Sequence, residues 1–544
     1  MQLSMRPIIC INRQGARCGL SDTGLRIRRL TCPTTSTTSD APQSFDSMMS
    51  ERRRQAGNTV LVEVENRHRI PDLCHLCQTS GALQKVYYFK NKSQKCQVLV
   101  EFADSQGSSN LLKQSKNLYT DGFPVSSRLL RLELSKKMPS NTSPAVDIDT
   151  VCLPSDEEVL KRLSQSNSIS EQMFSFYESQ RLNDLEQRLG FLVCKQIEEF
   201  LSGVCVTGKV LPFGSLVNGF GRHSCDIDMV YCVPPEQKGV LYFQGKDQLV
   251  NDRTLIQRVL ETLGDLLHYL VPGVSQVHRI LRARVPIVKF QHEITDLECD
   301  LTLNNMSGVD MSRILHFYSH LNPSVRPLMY TVRKWATASG VTEKVPGSWV
   351  TNFQLTLMVL FHLQQRGILP SIKSFKGRPV PERQDTNESV QEHNSDINNS
   401  TESAEELLLS FFEFYASFDF KKKGISLYSG QTIEKPEYSS LYIQNPLERQ
   451  LNASRNVGAS DLRKLQTSMT EALWTLQKTN HKPSTKDSSW GICTIFKPVI
   501  AQDRHTQLMH RKFQVQELFQ ENQAKSNESG YIVEATIAGV KSNS

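Results

Sequence analysis

The sequence predicts an α+β protein: a mixed sheet with helices joined to a mostly helical region, preceded by a small βαββαβ domain. Three observations predict it. Short β-type runs crowd the first part of the chain, TVLVEV (59–64), KVYYFK (85–90) and CQVLVEF (96–102). Two further apolar strands, opened by CDIDM (225–229) and carrying ECDLTL (298–303), lie in the middle. Leucines at helical spacing before them, and the apolar run LTLMVLFHL (355–363) after them, mark flanking helices.

At 544 residues the chain is too long for one core. No apolar run reaches the length of a membrane-crossing helix, so no membrane span is expected. The net charge of +7 is uneven. Residues 1–45 hold six arginines against Asp22 and Asp40, a net of +4, which leaves +3 for the rest. This Arg-, Ser- and Thr-rich, acid-poor stretch has the composition of an organellar transit peptide, the other reading being a basic tail. An RNA-binding surface elsewhere has to be a local patch.

Residues 46–135 read as the βαββαβ unit, which suggests an RNP-like domain. Such domains stack bases on rings in their central strands. Here Gln97 and Leu99 stand where rings are wanted, so packing or self-association, with a homodimer through this domain, is expected over direct reading of single strands. Cys74 and Cys77 form a lone CxxC without a second pair, and read as two helix cysteines. Residues 136–169 read as a linker, and residues 170–204 as a helical approach in which Leu182, Leu185, Leu189 and Leu192 share a face. Residues 205–310 hold the mixed sheet and 311–478 a helical domain. Residues 372–404, almost free of large apolar side chains, form a disordered insertion within it, and 479–544 a loose tail.

The chemistry lies in PFGSLVNGFGRHSCDIDMVY (212–231). On a strand, residues i and i+2 share a face, so Asp226 and Asp228 project together while Ile227 and Met229 pack behind. Adjacent carboxylates raise each other's pKa unless a cation lies between them, and hard oxygens suit Mg²⁺ or Mn²⁺. Asp300, between Cys299 and Leu301 on the later strand, supplies a third carboxylate, and Glu298 is expected to be solvated. Gly214 lets the backbone approach a phosphate, and Ser215, at the start of a helix, adds a hydroxyl and N–H groups. Two ions held by these acids would activate a 3′-hydroxyl and stabilise departing pyrophosphate, which is nucleotidyl transfer.

With those residues in hand the chain resembles the DNA polymerase β type nucleotidyltransferase superfamily, and within it the poly(A) polymerases and terminal uridylyltransferases. The resemblance covers about residues 170–478. PFGS, CDIDM and CDLTLNN are similar to the catalytic palm; ELLLSFFEFYASFDF (406–420) and LYIQNPLERQLNASRNV (441–457) to the nucleotide-recognition half. It implies metal-ligand and catalytic roles for Asp226, Asp228 and Asp300, the last also acting on the primer hydroxyl. It implies triphosphate contacts for Phe213, Gly214 and Ser215, and a phosphate-contacting cation at Arg333. One turn on, where relatives carry a second cation, this chain has Thr337, with Lys334 as a substitute. Thr351, Asn352 and Phe353 match the segment that reaches phosphate and stacks on the base, although Phe353 in an apolar helix would by itself read as core.

Many uridylyltransferases of the family have a histidine where this chain has Leu451, before Asn452, which implies a pocket open to a purine. Asn445 replaces a common Asp, and the ribose contact falls near Met311 and Ser312. Together with the organellar leader, the resemblance implies template-independent addition of AMP from ATP to RNA 3′ ends in the mitochondrial matrix. The alternatives are uridylyl transfer and a non-catalytic RNA-binding or scaffold relative.

Overall fold

β-branched and aromatic runs form the first sheet because both its faces are covered by apolar side chains. Its strands are β1 (Ser4–Pro7), β2 (Thr59–Val64), β3 (Leu83–Lys90), β4 (Cys96–Phe102), β5 (Leu129–Glu133) and β6 (Ile148–Thr150), in spatial order β1-β5-β2-β4-β3-β6. The structure, a computed structural model, describes residues 44–115, 127–133, 147–151, 153–203, 207–233, 253–343, 347–375, 402–479 and 489–496, and for residues 4–7 the backbone. The chain divides into two units, 1–497 and 498–544, and the second lies outside the described residues.

Helix α1 (Phe45–Gly57) lies between β1 and β2 in the chain, and α2 (Ile70–Gln78) and α3 (Ser105–Gln114) interleave with β2 to β5 to give the expected βαββαβ order. One face buries Val60, Val62, Val98 and Val100 against Leu73, Cys77 and Leu111 of α2 and α3. Cys74 and Cys77 are buried helix cysteines, and burial pushes the Cys74 thiol up to about 11. The other face, where an RNP domain would display its rings, packs Leu61, Tyr87, Leu99 and Leu129 on Leu185, Leu189 and Leu192 of a helix from outside the domain. Burial on both sides explains why every residue of β2 is buried.

That helix is α6 (Asp184–Leu201). It is capped by Asn183, which exchanges hydrogen bonds with Glu186, so Leu182 lies just ahead of it. Arg188 on α6 reaches Glu101 of β4 at 2.6 Å and Asp184 at 2.8 Å, with side chains 5% (Arg188) and 0% (Glu101) exposed. Tyr87 and Arg52 also bond Asp184. Apolar contact and a desolvated ion pair therefore fasten the RNP-like sheet onto its neighbour.

That neighbour is a second sheet made of β7 (Lys209–Phe213), β8 (Ile227–Cys232), β9 (Val274–Ile280), β10 (Ile287–His292) and β11 (Leu297–Leu303), in order β7-β8-β11-β10-β9. β8 and β11 run parallel and the other pairs antiparallel. Its core-facing residues Met229, Val288, Phe290, Cys299 and Leu301 pack with Val193 and Ile197 of α6 and with Leu260 and Leu263 of α7 (Arg253–Leu270). Phe45 and Met49 of α1 join this core, so residues 45–57 belong physically with the palm sheet rather than with the RNP-like unit.

The helical region has its own core around Trp335, Phe361, Phe411, Phe412 and Tyr415. It is built from α4 (Asp156–Gln165), α5 (Ile169–Gln180), α8 (Ser307–Leu321), α9 (Val325–Ala338), α10 (Asn352–Gln365), α11 (Ala404–Ala416) and α12 (Ala459–Lys478), with a hairpin of β12 (Lys423–Ser426) and β13 (Gln431–Glu434). Two stretches depart from expectation. The 136–169 linker contains β6 and α4, whose Val159 and Leu163 enter this core. The 479–544 tail begins with Trp490 and a short helix α13 (Ile492–Ile495) buried in the same core. β6 and α13 are too short to show a periodic pattern in the sequence, whereas α4 carries a helical signal of its own, with Val159 and Leu163 one turn apart behind a Ser155–Glu158 capping box. The insertion expected at 372–404 starts in a 3₁₀ turn (Ile372–Phe375) and ends at Ser403, the cap of α11; residues 376–401 lie outside the described residues. Of the expected leader, 8–43 lie outside them too, and 4–7 pair with β5. Among the described residues no helix is long and apolar enough to cross a membrane. The run 355–363 is the buried body of α10.

Candidate active site

β7 ends in Phe213 directly opposite Asp228 of β8. Gly214 then turns the chain at φ +70, and a Cβ there would stand 2.1 Å from Asp228 Oδ2. Glycine is thus required twice, for the left-handed backbone and for the approach of the carboxylate. The Gly214 N–H donates to Ser312 Oγ at 2.7 Å, which ties the turn to α8. Gly214–Leu216 is a single 3₁₀ turn, not the helix start expected at Ser215.

Asp226 stands just ahead of β8, and the parallel register sets Asp300 of β11 beside Asp228. Burial first, then the charges of Asp300 and Asp226, push Asp228 up to about 7. Asp226 and Asp300 are also raised, chiefly by burial and against the pull of Lys289. Lys289 of β10 lies opposite Asp300, its Nζ 3.3 Å from Asp300 Oδ1 and 3.4 Å from Glu298, so Glu298 is paired as well as half exposed. The ion-pair contact lacks hydrogen-bond geometry, and Asp300 Oδ1 stays buried without a hydrogen-bond partner.

Among the described residues no three His, Cys, Asp or Glu side chains form a ready-made metal-binding group. Mg²⁺-type sites use one or two carboxylates plus phosphate oxygens rather than an all-protein cage. Like charges crowded at Asp228, which Lys289 offsets only on the Asp300 side, are the feature such a cation would relieve.

Asp226 and Asp228 open into a cavity of about 610 Å³, also lined by Phe213, Gly214, Ser215 and, from α8, Met311 and Ser312. This is within the range of small-molecule sites. Asp300 flanks Asp228 but is not part of that lining. On the opposite wall α10 begins with Asn352 and Phe353, both lining the cavity, and the Phe353 ring is 37% exposed although Gln354–Gln364 are all buried. Phe353 is therefore not core. Thr351 is absent from the lining because its hydroxyl caps α10, accepting from Gln354 N–H.

Arg333 also lines the cavity, but its guanidinium donates to Phe220 O at 2.8 Å and to Thr356 Oγ1 at 2.6 Å, and burial lowers its pKa to about 10. As it stands it holds α9 to the 218–221 loop and to α10. Lys334 and Thr337 are exposed beside it. The far end is closed by Asn445, Leu447 and Glu448, of which only Asn445 was expected; Leu451 is set back from the lining. Lys289 was missed too. As the one cation in the apolar strand PIVKF it was visible, but its neighbours depend on strand pairing.

With this geometry the comparisons converge. Residues 169–320 match the family described as Poly(A) RNA polymerase, mitochondrial-like, central palm domain, and residues 406–451 match the Cid1 family poly A polymerase. The mitochondrial poly(A) RNA polymerase of Drosophila melanogaster is 33% identical over 523 residues, spanning 89% of this chain and 86% of that relative. The chain belongs to the mitochondrial poly(A) RNA polymerase family. The Homo sapiens member is 32% identical over 480 residues, 84% of this chain and 81% of its own. A crystal structure of mtPAP in complex with ATPγS, 30% identical, matches with a TM-score of 0.73 over 84% of this chain and all of that one. The chain is accordingly a nucleotidyltransferase with an α+β palm, in a family that works with divalent metal.

Proposed function

We infer that this family member adds AMP from ATP, without a template, to the 3′ ends of RNA in mitochondria. The observation that carries the reading is the β8–β11 register, which sets Asp228 beside Asp300 at the edge of a cavity whose far wall presents an exposed ring. Mg²⁺ or Mn²⁺ held by Asp226, Asp228 and Asp300 would supply activation of the 3′-hydroxyl and neutralisation of the departing charge. The rest falls to the chain. Gly214 lets its backbone lie against phosphate, with Ser215 beside it and Phe213 behind. Phe353 offers its face to the base, Asn352 adjoins it, and Lys334 and Arg222 are exposed cations of the lining that phosphate oxygens can meet. Arg333 positions that wall, and Thr351 fixes the start of α10.

At the base end Asn452 is held by the backbone. Its Oδ1 accepts from Ile443 N–H and Ser454 N–H and its Nδ2 donates to Leu441 O, so it shapes the loop. Leu451 adds no polar group to favour uracil, which supports a purine. Incubating the purified protein with a labelled RNA and each nucleotide in turn is the test. Long tails from ATP are expected; tails from UTP with none from ATP would end the adenylate reading.

A homodimer through the RNP-like part goes with this reading, supported by the sheet's base-stacking face being occupied by α6, which leaves the unit a packing role in place of single-strand reading. Light scattering on the intact chain reads the mass directly, and a monomer at micromolar concentration would remove the dimer.

A further inference from the structure

The loop that leads into the catalytic strand β8 is gripped from outside by a side chain the chemistry above does not use. His223, three residues ahead of Asp226 and partly buried, has an acceptor at each ring nitrogen. The Glu186 carboxylate lies 2.7 Å from Nδ1, and the Ser179 carbonyl lies 3.1 Å from Nε2. A neutral imidazole has one N–H, so only the imidazolium donates to both. Ser179 belongs to the last turn of α5, the negative end of that helix, and the His223 backbone N–H donates to Gln180 O at 3.0 Å in the same turn. The Glu186 carboxylate also accepts from Ser224 N–H at 3.2 Å and from Asn183 N–H at 3.1 Å, so the cap of α6 doubles as the anchor of the loop. Ser224 has φ +56, a left-handed backbone uncommon outside glycine, which persists only where its surroundings hold it.

The gripped segment bears on the phosphate end of the cavity. A Cβ at Gly221 would stand 2.3 Å from Ser215 O, so the loop lies directly against the phosphate turn. Arg222, between Gly221 and His223, is an exposed part of the cavity lining, and its charge acts on both Asp226 and Arg333. We propose that His223 is a positioning residue for the nucleotide: as the imidazolium it clasps Glu186 to the end of α5 and so holds Arg222 against the triphosphate, and loss of its proton slackens the loop and weakens ATP binding. The proposal rests on the adenylyl-transfer reading and names what regulates the affinity for its nucleotide. The remaining tethers keep their protons through neutral pH: from α9, Tyr330 donates to Gly221 O and Arg333 to Phe220 O, and Leu182 N–H also reaches Gly221 O. Of the other charged groups on the elements that meet there, Glu178 and Arg181 of the α5 end pair at 2.7 Å, and Asp184 of α6 is taken by Arg52 and Arg188 at 2.6 and 2.8 Å. Glu186 is the carboxylate bonded to the ring. The two ring bonds are complete while the ring carries both protons and one is lost above its titration, so this contribution to ATP affinity falls as pH rises.

The test is calorimetric titration of the intact chain with ATP and Mg²⁺, without RNA, from about pH 6.5 to about pH 9. The variants are His223→Gln, His223→Lys, Arg222→Ala and the double variant Arg222→Ala with His223→Gln. Asp226, Asp228 and Asp300 titrate alike in all of them, so the ratio of each Kd to the wild-type value isolates the loop. For His223→Gln the ratio should be roughly tenfold at the acid end, the size of one charge-assisted contact, and fall toward one at the alkaline end. His223→Lys, which keeps a cation against Glu186, should match wild type at the acid end and bind ATP more tightly than wild type at the alkaline end. The double variant should bind no more weakly than Arg222→Ala alone, because the two residues act as one unit. A His223→Gln ratio that is near one throughout or constant with pH, or a double variant weakened by the product of the two single effects, overturns the proposal. Should His223→Gln fail to fold, Arg222→Ala carries the test, since its ratio must show the same fall with pH and a constant ratio overturns the proposal. ATP binding with this pH pattern and no extension of RNA would support the role of His223 and end the adenylyl-transfer reading instead.

Discussion

Gly214→Ala isolates the geometry of the phosphate turn from its chemistry, because it removes no polar group. The backbone at Gly214 has φ +70, where an L-residue costs about 1–2 kcal/mol. The added methyl would also meet Asp228 Oδ2 at 2.1 Å and its Cγ at 3.1 Å. Either the Asp228 carboxylate swings away into the cavity it lines, or the turn shifts, in each case by roughly 1 Å or more if an ordinary carbon–oxygen contact is to be restored. Misplacement of about 1 Å at a reacting centre costs on the order of 10²-fold in rate. Extension of a labelled RNA by ATP should therefore show kcat down by roughly that factor, with thermal unfolding lowered only modestly and RNA affinity unchanged. Activity within about threefold of wild type would refute the reasoning, because the turn would then have moved without consequence for the acids.

Three other outcomes follow from the same structure. Asp228→Asn should abolish extension in the presence of divalent ions yet, with those ions chelated, raise thermal stability at neutral pH. The carboxyl is lifted from 3.8 to about 7 by burial and its neighbours, worth roughly 4 kcal/mol at most. The folded state holds that proton more tightly than the unfolded one, so wild-type stability is fullest below the ordinary value and falls as pH rises toward 7, and Asp228→Asn should flatten this slope in melting curves from about pH 4 to 8. Phe353→Ala should raise KM for ATP by roughly tenfold, the loss of one stacking face, without lowering the melting temperature. Arg188→Ala, which leaves Glu101 buried and unpaired, should destabilise by about 3–5 kcal/mol in urea titration, and replacing both residues by apolar ones of similar size should recover most of it.

What the sequence disclosed follows from which forces are local. Asp226, Asp228 and Asp300 were legible because period-2 alternation sets charged against apolar residues whatever the strands pair with. Lys289 was not, since its role depends on β10 lying beside β11. Phe353 reads as core in an apolar helix, but it sits in the first turn of α10, where the helix emerges from the bundle into the cavity. Thr351 lies in the expected neighbourhood but plays a different part, because Thr351-x-x-Gln354 is a capping box, a local motif that a family resemblance passes over. Strand β9, an edge strand with His278 and Arg279 exposed, has no alternation to betray it. The RNP-like order was readable, but the occupant of its bare face was not, because α6 is remote in sequence from the strands it covers: Arg188 and Glu101 are 87 residues apart.

The line of functional side chains across the palm sheet is enforced from behind. Ile227, Met229, Cys299, Leu301, Val288 and Phe290 alternate with Asp228, Asp300 and Lys289, and all six are buried in the same core. A slip of one residue in any strand would bring its acid or lysine into that core and push its apolar partners into the cavity, so burial fixes the register. The acids repel one another and raise each other's pKa, and do not hold themselves together. What brings them side by side is the hydrophobic packing of the opposite face, aided by Lys289 on one flank. Loosening that packing is therefore a catalytic perturbation as well as a structural one. Substitutions at Met229 or Leu301 should reach activity through the placement of Asp228 and Asp300, before they reach global unfolding.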